Sequence, residues 1–78
     1  MKVGFTKRAD KQLRKMPDAD RAAIVLKLET YAVSGIGDVT KLVGSDELRL
    51  RHGQWRAIFV VRNHILVLKE AHRREAYK

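Results

Sequence analysis

Five arginines in the second half of the chain have the type and spacing to hold a phosphate. Arg49 and Arg51 lie two apart in a strand-like pattern, so both point to one face. Arg56 follows across a tight turn, within reach of that face, and Arg73 and Arg74 come after the last strand. A guanidinium grips a phosphate through two parallel hydrogen bonds and keeps its charge. Several together suit a phosphate whose charge grows in a transition state. The plainer reading is that some of them pair with Glu47, Glu70 and Glu75, or only solvate the surface.

Other chemistries find less support. The three histidines, His52, His64 and His72, form no i, i+4 pair and sit near no acidic cluster, so no metal site and no cofactor is expected. Ser34 and Ser45 occur in turn contexts that hydroxyls favour for local reasons. Gly35-Ile36-Gly37 lacks the strand and the lysine of a phosphate loop.

The elements that must position these residues follow from periodicity. Residues 2–5 can form an edge strand. Thr6 is a helix N-cap, and Ala9, Leu13 and Met16 recur on one helical face. Pro17 ends that helix at Met16 and starts the next, with Asp18 and Asp20 in its first turn. The second helix is predicted over 17–33, with Ile24, Leu28 and Tyr31 inward, and Gly35 as its left-handed stop. The lysines and arginines of the first helix, Lys7, Arg8, Lys11, Arg14 and Lys15, read as a solvated face.

From Gly37 the period changes to 2. Residues 39–43 form a short segment between turns. Leu48 and Leu50 alternate with Arg49 and Arg51. His52-Gly53-Gln54 is a hairpin turn, 55–62 the strongest strand, Arg62-Asn63-His64 a turn in which Asn63 can take positive φ, and 65–69 the partner strand. Residues 70–78 read as a polar tail. Trp55 reads as a packing residue. The expected class is α+β, in the order β-α-α-β-β-β, with a helix hairpin on one face of a small, mainly antiparallel sheet.

Composition bounds the rest. The chain has 78 residues, 17 Lys plus Arg against 9 Asp plus Glu, a net charge of +8, and no cysteine. That length makes 1–78 a single domain. Without cysteine there is no disulfide scaffold and no thiolate-held metal. No stretch approaches the ~20 apolar residues of a membrane span, so a cytoplasmic chain is expected. The charge favours polyanionic partners such as nucleic acid, a ribosome or an acidic protein. It is uneven: residues 40–78 carry 9 basic and 4 acidic side chains, residues 1–39 carry 8 and 5.

Three stretches then carry a resemblance: Lys41-Leu42-Val43-Gly44; Leu48-Arg49-Leu50-Arg51-His52-Gly53-Gln54-Trp55-Arg56-Ala57-Ile58-Phe59; and Val67-Leu68-Lys69-Glu70-Ala71-His72-Arg73-Arg74-Glu75-Ala76-Tyr77. Together with Phe5-Thr6-Lys7-Arg8-Ala9 and Leu13 ahead of Pro17, their order and spacing resemble the RelE/ParE superfamily of bacterial toxins, more narrowly the RelE-type toxins of type II toxin–antitoxin systems. The resemblance covers essentially the whole chain. It implies a RelE-like, microbial-RNase-like fold and metal-free cleavage of messenger RNA in the ribosomal A site. Carried over by position, Arg49, Arg56, Arg73 and Tyr77 are the catalytic residues, and Arg51, Arg74, Lys41 and Lys69 contact RNA or ribosome. The resemblance also implies an acidic antitoxin encoded next door, through which operator DNA would be reached.

Glu47 stands where the RelE type has another basic residue, which leaves the general base open. Glu47 and His72 are the better-matched candidates, because an arginine pKa exceeds ~12. Tyr77 would stack on a base or hydrogen-bond the phosphate. Two other readings share the fold: a ParE-like inhibitor of DNA gyrase, and a non-catalytic member that only binds its partner.

Overall fold

Thr6 is where the fold is tied together. In the computed structural model, which describes residues 1–72, its extended backbone (φ −66°, ψ 163°) leads out of strand β1 (Val3–Phe5) and into helix α1 (Lys7–Arg14). Its hydroxyl oxygen accepts from the Ala9 N–H at 3.1 Å, the N-cap bond expected from the sequence. The chain continues through α2 (Asp18–Ser34), β2 (Val39–Lys41), β3 (Leu48–His52), β4 (Trp55–Val61) and β5 (Ile65–His72). The sheet order is β1-β5-β4-β3-β2; β1 runs parallel to β5 and every other pair is antiparallel.

The α+β class and helix hairpin are as read, with corrections in detail. Residues 39–41 are a true fifth strand, so the order is β-α-α-β-β-β-β. Helix α1 stops at Arg14 rather than Met16: Lys15 and Met16 turn tightly back onto Gln12 and Leu13, because the residue before a proline avoids the helical region. Pro17 is the N-cap of α2 rather than its first helical residue, with ψ 141°. Gly35 does close α2 in the left-handed region at φ 70°. Asn63 does not take positive φ. Among the described residues no helix is long and apolar enough to cross a membrane.

The helices cover one face of the sheet. Ala9, Leu13, Met16, Ile24 and Leu28 meet Leu50, Ala57, Phe59, Ile65 and Val67 in one buried core. Phe59 is its centre, with Tyr31 edge-on at 5.6 Å.

The largest departure from the sequence reading is in β5, which runs three residues past its expected end. Ile58 pairs with Lys69 but Phe59 pairs with Val67, so Leu68 is an extra residue. This bulge reverses the alternation. Ile65 and Val67 face the helices, and beyond the bulge so do Glu70 and His72, the partners of Ala57 and Trp55. The Thr6 N–H donates to Val67 O at 3.0 Å, and the Thr6 hydroxyl donates to Leu68 O at 2.8 Å.

Glu70, expected in a polar tail, is therefore in the core and 1% exposed. Its N–H donates to Gln12 Oε1 at 2.8 Å, while neither carboxyl oxygen has a hydrogen-bond partner. Burial, aided by the nearby negative charge of Asp10, pushes its pKa from 4.5 up to about 7.

Two outcomes follow. The folded chain holds a proton on Glu70 that the unfolded chain releases, so this stabilisation is present below pH 4.5 and is lost as pH rises through 7. It amounts to about 3 kcal/mol. Denaturation of Glu70→Gln beside the parent should show the variant gaining relative stability from about pH 5 to about pH 8; a constant difference would refute the assignment. Thr6→Val keeps the shape but loses both hydroxyl bonds, and should cost about 1–2 kcal/mol in denaturant midpoint at unchanged slope.

Candidate active site

Cross-strand partners share a face, so the register of β3, β4 and β5 states which side chains meet on the side away from the helices. Arg51, Arg56 and Ala71 form one row across these strands. Arg49, Ile58 and Lys69 form the next. Four cations therefore rise from backbone positions within about 10 Å by 7 Å, the spacing of three strands and two residues. Among the described residues no Asp or Glu holds a paired position on this face.

Arg56 differs from its neighbours. It lies on the expected face but is only 6% exposed. Its Nη1 donates to Gly53 O at 2.8 Å and to Trp55 O at 2.9 Å, and its buried Nε has no partner. The turn makes this possible. His52 pairs with Trp55, leaving Gly53-Gln54 as a two-residue loop, and Gly53 takes φ 55°, the positive value such a loop needs at its first central position. The guanidinium is thus held by carbonyl dipoles of its own hairpin. Among the described residues no carboxylate pairs with it. Arg51, beside it, is exposed; Arg49 is half-buried and Lys69 exposed.

The remaining candidates divide. Lys41 pairs with Leu48, so it projects on the helix side of an edge strand and does not join Arg49 and Arg51. Glu47 precedes β3, four residues before Arg51, which puts it about 13 Å along the sheet from the Arg56 row. Its N–H donates to Ser45 Oγ at 3.0 Å. His72 lies at the same end of the sheet as Arg56 but on the helix face, its ring edge-on to Trp55 at 5.3 Å. Arg73, Arg74 and Tyr77 lie outside the described residues.

The sequence reading missed a polar cluster behind the turn. Asp20, in the first turn of α2, accepts from His52 Nε2 through Oδ1 and from Trp55 Nε1 through Oδ2, each at 3.2 Å. Lys27 Nζ meets His52 Nδ1 at 2.9 Å. The only sequence signal was Asp20 and Lys27 lying seven apart on one helical face.

Depressions lined by Leu42, Val43 and Ser45, and by Lys2, Asn63 and His64, open at the opposite end of the sheet from Arg56. The arginines instead occupy a strand surface. Such a surface suits an extended polyanion better than an enclosed small molecule.

No family model matches the sequence, and no curated protein matches it in sequence. Solved structures do. A chain of the RelB–RelE antitoxin–toxin complex from Methanococcus jannaschii superimposes with a TM-score of 0.81 at 27% identity, covering 96% of this chain and 95% of that one. A toxin–antitoxin complex from Mycobacterium tuberculosis gives 0.77 at 23%, covering 91% and 95%. The intact E. coli RelBE complex gives 0.62 at 20%, covering 90% and 93%. With two helices on a five-stranded mixed sheet, matched over nearly its whole length, this chain has the RelE-type toxin fold.

Proposed function

We propose that this chain is the toxin of a type II toxin–antitoxin module and that it cleaves messenger RNA on the ribosome. The observation that carries the reading is Arg56: a buried cation with an unpartnered Nε, on a sheet face whose paired positions, among the described residues, include four cations and no carboxylate. Likeness to toxins solved with their antitoxins supports the module.

In the reaction a ribose 2′-OH attacks the adjacent phosphorus. The 2′-O–P bond forms and the P–O5′ bond breaks, leaving a cyclic phosphate and a 5′-OH. One proton leaves the 2′ oxygen and one is delivered to the 5′ oxygen. Arg56, with Arg73, neutralises the charge that grows on the phosphoryl oxygens. Nη1 is spent on the turn and Nε is buried, so the Nη2 edge of the guanidinium is the part left to meet the phosphate. Arg49, Arg51, Lys69 and Arg74 hold the flanking backbone, and Tyr77 stacks on a base. Of the two candidate proton acceptors, Glu47 stands about 13 Å along the sheet from the Arg56 row and His72 at the same end as Arg56 but on the helix face. The antitoxin partner is acidic, encoded adjacently, and neutralises the cationic face.

Primer extension on translated message in a purified system tests the reading. New 5′ ends should appear only with ribosomes, and Arg56→Lys should lower the cleavage rate roughly 10²- to 10³-fold, as loss of one oriented donor does elsewhere. Absence of new ends with concurrent inhibition of gyrase supercoiling would overturn it in favour of the gyrase inhibitor. Arg51→Ala should weaken binding to ribosome-bound message with little sequence dependence, and lower the slope of log affinity against log salt by about 1.

A further inference from the structure

We propose that Asp20, remote in sequence and on the opposite side of the sheet, is a positioning residue for Arg56. The inference rests on the ribonuclease reading for its kinetic consequence, but its structural part stands apart from it.

His52 and Trp55 are the two residues that close the Gly53-Gln54 turn. Each donates a ring N–H to a different oxygen of the Asp20 carboxylate. One side chain of α2 thus grips both ends of the loop. The carbonyls that hold Arg56 Nη1 belong to Gly53 and Trp55, a residue inside the loop and a residue at its end. A displacement of the loop moves both acceptors together, and the unpartnered Nε moves with them.

The grip is itself supported. With Nδ1 accepting from Lys27, the His52 ring hydrogen is placed on Nε2, where it donates to Asp20. Asp20 lies in the first turn of α2, where the helix N-terminus favours a negative charge. Trp55 also packs edge-on against His72, the residue before Arg73.

Asp20→Asn tests this at nearly constant shape. An amide has one acceptor oxygen in place of two, so it cannot accept from both His52 and Trp55 as the carboxylate does. We expect the fold to persist by thermal melting, the cleavage kcat to fall roughly 10- to 100-fold with KM within about threefold, as for a misplaced catalytic group, and the Arg56 Nε–H resonance to shift. Asp20→Ala should move that resonance further. In the Arg56→Lys background, Asp20→Asn should cost little more, since its effect passes through Arg56. An unmoved Arg56 resonance in folded Asp20→Ala would overturn the proposal, and so would full additivity with Arg56→Lys. If the parent protein cleaves no message, the ribonuclease reading fails while the resonance still decides the positioning.

Discussion

The bulge at Leu68 is the constraint on which the rest of the molecule depends. One extra residue in β5 reverses which side chains face the helices. It sends Lys69 outward to stand beside Ile58 and Arg49, and sends Glu70 and His72 inward. Carried on without the bulge, the alternation would turn Lys69 toward the core and put Glu70 on the arginine face, where it would neutralise that face. The carbonyl at the bulge is held by the Thr6 hydroxyl, and the same oxygen caps α1. The start of the helix layer and the cationic character of the opposite face therefore rest on one threonine and one irregularity.

The sheet separates two buried ionisable groups that have no opposite charge paired to them among the described residues. Glu70 lies on its helix side with both oxygens unpartnered; Arg56 lies on the other side with its Nε unpartnered. Burying a charge is costly unless it is paired. Glu70 answers by holding its proton up to about pH 7. An arginine has no such escape, because it stays protonated. Among the described residues the charge on Arg56 is met only by the carbonyl dipoles of the turn, and an anion is the partner that would complete it. In a chain of 78 residues, with a stability of about a tenth of a kcal/mol per residue on average, such a site is a sizeable local burden. A ligand that binds only the folded state offsets it by mass action.

The two layers are joined at the hairpin end by polar contacts rather than by core alone. Asp20 and Lys27 of α2 reach His52 and Trp55 of the sheet, while the apolar contacts of α2 centre on Ile24 and Leu28. Polar contacts are directional, so they locate the turn more tightly than apolar packing would. That end is also where Arg51 and Arg56 stand.

Much of this architecture was legible in the residues because it is local. The Thr6 cap, the Ala9-Leu13 face, the break at Pro17 and the stop at Gly35 each depend on neighbours within a few positions. So do the Gly53 turn and the alternation of Leu48, Arg49, Leu50 and Arg51, which placed two arginines on one face correctly. What lay beyond the sequence were matters of register. The bulge has no signature in Val67-Leu68-Lys69, so Glu70 looked like a polar tail. Lys41 resembles the other strand cations, yet its pairing with Leu48 turns it to the helix side. Asp20 meets partners 32 and 35 residues away. Local periodicity decides which side chains share a face of their own element; only the packing of elements decides which faces meet, and a single unpaired residue is enough to reverse the answer.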